Sequence, residues 1–347
     1  MPDRLIDRAD RLQRRHSALG FPYAVGRKFD DDSGWREAAL ITYYGFLSIF
    51  PVLLLGVTVV SWVLVERPDL RHELVVAIVP PALQETVEGA AAAMPTSPVP
   101  LVVGLIGLLY SGSGVVFSAY RTLNHVAAVP FRLRAGIVRC YLRVLLVLLL
   151  LLLGVVAVGA LTVVVAALPR SSQIQQAGAI LGSFVIVFVE FVLAARLLLD
   201  RPAPLRAIWP GAALGAAAAT LVLNVGAAVL PDLIRRSGAV YGSFATVAGM
   251  FTLLYVLSLA LVLSAEIAAV RWARLWPRAL DLERPTEADA RALGLLAREQ
   301  ERTPVDRIES HLEVPDRLTV PEPSDLTDSA PLRAPGSGAG GPPPPAR

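Results

Sequence analysis

Two carboxylates set inside long apolar runs are the residues best placed to do chemistry. Glu190 stands near the middle of FVIVFVEFVLAARLL, and Glu266 near the end of LSAEIAAVRW. An ionisable side chain in hydrocarbon is costly, so it marks an ion path, a proton relay or a substrate site by default. At 1.5 Å per residue, Glu190 lies roughly 13 Å from the inner end of its helix and Glu266 roughly 6 Å. Ser48 and Ser111 fall at about the depth of Glu190, and Tyr43 at about that of Glu266. No Lys or Arg shares the depth of Glu190. It reads as a proton-coupled or cation-binding carboxylate, or as a neutral acid hydrogen-bonded across helices. Glu266 lies at an arginine-rich rim, within reach of Arg271 or Arg121, and reads first as an ion-pair partner.

Other polar residues surround these two. Thr42-Tyr43-Tyr44 forms a polar entrance to the first run, followed by Ser48 and Pro51. Pro51 removes the backbone bond to residue 47 and is expected to kink its helix; broken helices line many transport sites. Tyr110-Ser-Gly-Ser-Gly114 would pack closely or let its helix unwind. Gly178-x-x-x-Gly182 and Gly211-x-x-x-Gly215 are close-contact signals between helices, and Asn224 reads as interhelical glue. The four histidines are far apart and Cys140 is the single cysteine. No Walker A loop, H-E-x-x-H pair or strand-to-helix glycine loop occurs. These residues predict no metal, no cofactor, no catalytic set and no enzyme.

The elements that must position them follow from composition. Of 347 residues, 54% are hydrophobic and 18% charged, with mean hydropathy +0.57; soluble domains carry roughly 25% charge. Residues 39–270, two thirds of the chain, hold 22 of the 61 charged residues. An ordinary cytosolic enzyme and a disulfide-stapled secreted domain are both excluded. A helix needs about 20 apolar residues to cross roughly 30 Å of hydrocarbon. Six runs qualify: 39–65, 99–120, 144–168, 177–199, 208–230 and 244–270. They are too long, and alternate too little, for barrel strands. The prediction is an all-α polytopic integral membrane protein with six transmembrane helices. The first run is not a cleavable signal, since it begins after 38 residues and is followed by Glu66-Arg67-Pro68.

Lys and Arg are retained on the cytoplasmic side of a membrane. The two terminal flanks and alternate linkers hold 20 of them, and the remaining linkers hold 5, so both termini are expected in the cytoplasm. The basic residues are 31 Arg and one Lys, Lys28, and the net charge is only +3. With Ala, Leu and Val dominant, this Arg bias suits a GC-rich genome, and no nucleic-acid partner is expected. Residues 1–38 form a cytoplasmic N-terminal segment, in which 3–19 read as an amphipathic helix on anionic lipid or as a solvated lead-in. The six-helix domain spans 39–270. Its 66–98 connection reads as two short helices broken at Pro80-Pro81 on the outer interface. Residues 271–320 form a cytoplasmic segment in which Thr286 to Asp289 resembles a capping box opening a helix to about Arg302. Residues 321–347, with eight prolines, are expected to be disordered.

Three stretches are similar to a known family: EAALITYYGFLSIFPVLLL at 37–55, LLYSGSGVVFSAYRTLNHVAAVPFR at 108–132, and YGSFATVAGMFTLLYVLSLALVLSAEIAAV at 241–270. Together they resemble the YihY/BrkB family of bacterial inner-membrane proteins, some once labelled ribonuclease BN, over roughly residues 20–275. Where the family shows G-A-E, this chain has Ser264-Ala-Glu266. The resemblance implies a multi-pass plasma-membrane protein with no established reaction. Tyr43, Tyr44, Ser48, Pro51, Arg121, Asn124, Tyr241, Gly242 and Glu266 are its motif positions. Arg121 and Asn124 at a membrane boundary do not make a nuclease. The expected function is transport or export of a solute or lipid-like amphiphile, ion-driven, downhill or powered by a partner. The alternative is a non-transporting envelope protein that recruits partners, and a ribonuclease is a distant third. The expected partners are the bilayer and other membrane or envelope proteins, with the oligomeric state open. Topology reporters fused at residues 20 and 300 should read cytoplasmic and one after residue 80 external; an external C-terminal reporter would break the six-span arrangement.

Overall fold

The computed structural model describes residues 10–14, 16–63, 99–166, 172–281 and 283–312, and regular structure among them is entirely helical. The elements are α1 (Ser17–Asp31), α2 (Gly34–Val63), α3 (Val99–Val126), α4 (Ile137–Ala166), α5 (Ser172–Leu198), α6 (Leu205–Tyr241), α7 (Ser243–Ala273) and α8 (Glu287–Glu299), with a 3₁₀ turn at Phe131–Leu133. Six of them, α2 to α7, are long and apolar enough to cross a membrane, and such helices imply contact with lipid. The readings made for residues 3–9, the 66–98 connection and the tail at 321–347 lie outside the described residues.

Most of the helices overrun the apolar segments, because extending a formed helix costs little. The largest overrun is in α6, which continues through the expected 231–243 linker to Tyr241. The reversal into α7 is confined to Gly242, at φ +57 and ψ −138. That conformation is open to glycine and strained for a side chain carrying a Cβ, which accounts for the glycine of the Tyr241-Gly-Ser243 motif.

The spanning helices close a ring: each of α2 to α6 packs on its successor, and α7 packs back on α2. Small residues make the seams, since lipid offers no hydrophobic drive to helix association and close packing must supply it. On α3, a Cβ at Gly104, Gly107 or Gly114 would come within 2.9 Å of Leu55, 3.0 Å of Pro51 and 2.4 Å of Tyr44 on α2. The Tyr110-to-Gly114 stretch therefore packs and does not unwind. α2 is one helix through Pro51, whose ring seats on Gly107. Between α6 and α7, a Cβ at Gly211 would lie 2.3 Å from the Ser264 carbonyl oxygen, and one at Gly215 would lie 2.7 Å from both Phe191 and Ser264. A Cβ at Gly182 would lie 2.5 Å from Leu161 of α4, whereas one at Gly178 would meet nothing within 4 Å.

At one end of the ring, α1, the segment after α7 and α8 form a cap, here called the terminal end. Ala24, Val25, Val270, Leu275 and Ala292 make its core, with Phe21 and Trp276 edge-to-face at 5.3 Å. Asp10 and Gln13 are buried there: Leu280 N–H donates to Asp10 (3.0 Å), and the Gln13 amide donates to the Arg278 carbonyl. This part of the N-terminal segment thus docks on protein. The capping box is formed, with Thr286 Oγ1 accepting from Asp289 N–H and the Asp289 carboxylate accepting from Thr286 N–H. Buried Arg278 bridges Asp289 (2.5 Å) and Asp31 (2.9 Å), tying α8 to α1. Burial works against the Asp289 charge, but its bonds from Thr286, Ala279 N–H and Arg278 hold its pKa below the ordinary value.

Adding a methyl at Gly211 forces it against backbone, not against a flexible side chain. Overpacking of this kind costs about 1–3 kcal/mol. Gly211→Ala should lower the thermal midpoint in detergent, while Gly178→Ala leaves it unchanged or raised; equal midpoints would show that the α6–α7 seam can relax.

Candidate functional site

The charges at the terminal end converge on Lys28. An ammonium has three donors and no acceptor, and around this one lie the Asp32 carboxylate one turn on, the Val126 carbonyl of α3 at 2.9 Å and Glu266 Oε2 of α7 at 3.2 Å. Lys28 is 7% exposed, Asp32 1% and Glu266 0%. Burial disfavours the Lys28 charge, but Glu266 and Asp32 outweigh it and hold its pKa above the ordinary lysine value. Burial raises the pKa of Asp32, and the attraction of Lys28 offsets only part of that. Lys28 is the one donor that Glu266 Oε2 meets among the described residues, and Glu266 Oε1 and Asp32 Oδ1 have none. The ion pair read for Glu266 is present, but its cation is Lys28 and not Arg271 or Arg121; Arg121 instead stacks 4.5 Å over the Phe117 ring.

A second junction fastens α3 to α5. Asn124, fully buried, donates to the Leu198 carbonyl (2.8 Å) and the Tyr120 carbonyl (2.9 Å), and accepts from Asp200 N–H (2.9 Å). It thereby satisfies backbone groups at the open C-terminal end of α5. Tyr120 and Arg143 both donate to the Asp200 carboxylate. A third junction holds α8 against the α3–α4 connection: Glu299 meets His125 (2.8 Å) and Arg134 (2.6 Å), and Glu301 meets Arg132 (2.8 Å).

The residues expected to share the depth of Glu190 are engaged separately. The Ser48 hydroxyl donates to the Tyr44 carbonyl (2.9 Å), and the Ser111 hydroxyl to the Gly107 carbonyl (2.8 Å), each within its own helix. The Glu190 carboxyl occupies the space over Gly154 of α4, where a Cβ would lie 1.4 Å from Oε1. Tyr43 is half exposed and meets Tyr44 edge-to-face at 5.2 Å. Among the described residues, Asn224 bonds its own helix at the Thr220 carbonyl (2.7 Å) and not a neighbour. Sequence reasoning missed the role of Lys28. Its signal was available: one lysine among 32 basic residues, one helical turn before an aspartate, Asp32.

Beside the Lys28 cluster lies a cavity of about 640 Å³, enclosed by α3, α5, α6 and α7 and covered by α8. Phe191, Ile208, Leu261 and Trp272 make its walls apolar, Lys28 reaches it from within, and the exposed Arg201 and Arg298 line its margin. Neither of these arginines has an ion-pair partner within 4 Å among the described residues. The volume falls in the range of roughly 300–1,000 Å³ typical of small-ligand sites.

Six membrane-length helices, joined at one end by buried polar junctions, define a polytopic helical membrane protein. The sequence model of the family described as Virulence factor BrkB matches residues 25–287, and the chain belongs to that family. The matched region takes in Lys28, Asp32, Glu266 and Arg278. No curated protein and no solved structure matches the chain. Six apolar helices and this membership fit a bacterial inner membrane.

Removing one partner from a buried ion pair costs roughly 3–5 kcal/mol. Lys28→Met strands two carboxylates and should approach that loss in detergent unfolding. Glu266→Gln leaves Lys28 with Asp32 and should cost clearly less; the reverse order would mean that Glu266 is the main counter-charge.

Proposed function

We propose that the protein carries an anionic amphiphile across the membrane, entering through the cavity beneath α8. The cavity carries this reading: apolar walls suit acyl or alkyl chains, and Arg201 and Arg298 at the margin suit an anionic headgroup. The excess of Lys and Arg on the terminal flanks and alternate linkers supports a cytoplasmic terminal end, which makes the cavity a cytoplasmic vestibule. The reading needs no catalytic group, and binding, not bond-making, is the chemistry assigned to these residues. The rival, a non-transporting envelope protein, draws support from Ser48, Ser111 and Asn124, whose polar groups are engaged with backbone. Purified protein in vesicles should accelerate movement of a fluorescent anionic phospholipid or alkyl phosphate between leaflets, more than that of a zwitterionic analogue. Arg201→Ala with Arg298→Ala should lower the anionic rate several-fold and leave folding intact. An absence of movement across such a panel would favour the rival.

A further inference from the structure

The Lys28 cluster has an unequal charge count: two carboxylates and one ammonium, from which water is nearly excluded. The groups facing it come from every packed element. Lys28 and Asp32 belong to α1 and its end, Glu266 to α7, and His125 to α3, where its ring is held by Glu299 of α8. Glu299 is also taken by Arg134, and Glu37 of α2 accepts from the Thr122 hydroxyl (2.8 Å). Among the described residues, no second cation forms an ion pair with Asp32 or Glu266. Glu266 is fully buried; its Oε2 meets the Lys28 ammonium at 3.2 Å, while its Oε1 and Asp32 Oδ1 have no donor among the described residues. A buried carboxylate without a donor is unfavourable when ionised. One added proton removes the excess charge and supplies the missing donor. A sodium ion would instead sit against the ammonium, so the ligand this geometry accepts is a proton.

We propose that Lys28, Asp32 and Glu266 form a proton-binding site that holds one exchangeable proton between the two carboxylates and is linked to anion binding in the adjoining cavity. Lys28 lines that cavity. An anion approaching the ammonium competes with the two carboxylates for it and so increases their affinity for the proton. By linkage, the proton increases the affinity for the anion by the same factor. The proton comes from cavity water, forms an O–H bond on one carboxyl oxygen, and displaces nothing. Only the coupling half rests on the transport reading; the proton site rests on the cluster itself.

The test is infrared spectroscopy of the full chain in lipid discs, in a Glu190→Gln background that removes the other intramembrane acid. A band from a buried protonated carboxyl should be present at neutral pH. Glu266→Gln and Asp32→Asn should each abolish it, because each leaves one carboxylate to one ammonium, whereas Lys28→Met should strengthen it. The two carboxyl variants keep the proposal testable if Lys28→Met fails to fold. No band in the parent, or a band unchanged in both carboxyl variants, overturns the proton site. Dodecyl phosphate added in weak buffer with a pH indicator, at a pH high enough for the band to have been lost, should draw about one proton per molecule bound, and none in Glu266→Gln; binding without proton uptake, or no binding, overturns the coupling. A proton site without movement of amphiphile in vesicles would sink the transport reading alone, and movement without the band would sink the proton site alone.

Discussion

A lysine ammonium buried where three helices meet must find its acceptors within the protein, and the terminal end is arranged around that demand. Lys28 draws Asp32 from its own helix end, the last carbonyl of α3, and Glu266 from α7. The arrangement holds α1 against the membrane helices, since moving α1 would strand Glu266 in a site without water. The same logic extends outward through Arg278, which binds Asp31 and Asp289 together, and through Glu299, which binds His125 and Arg134. Buried ion pairs contribute little net stability when compared with well-packed apolar residues, yet breaking one is expensive. They therefore specify where the cap sits more than they hold the fold together.

Within the bundle the cohesive work falls to glycine and alanine. Leu55, Pro51 and Tyr44 descend α2 into the spaces left by Gly104, Gly107 and Gly114, and Gly211 lets α6 approach the backbone of α7 beside Ser264. Glu266 lies two residues beyond this close approach on α7. Phe191, Ile208 and Leu261 line the cavity and do not fill it. The cavity thus lies beside the tight α6–α7 seam, with α8 of the cap across it.

The polar residues of the spans divide by what they touch. Ser48 and Ser111 return their hydroxyls to their own helices, an arrangement typical of serine in helices. Asn124 closes the end of α5. Glu190 fills the space over Gly154. Depth along a helix, which grouped Ser48, Ser111 and Glu190, carries no information about azimuth, and azimuth determines which residues meet.

The sequence alone determined the membrane class, the six spans, the start of the helix at the Thr286 capping box and the family, because hydrocarbon thickness, capping chemistry and local motifs are written in consecutive residues. It also marked Glu266 as a member of an ion pair, since a carboxylate near a basic rim has few other fates. Only the tertiary structure decided that its partner is Lys28, 238 positions away in the chain, that Gly242 alone makes the α6–α7 reversal, and that a cavity lies under α8. Each of these depends on how helices rotate and cross. That is set by side-chain volumes meeting across seams, a property of pairs of distant residues that no local pattern encodes.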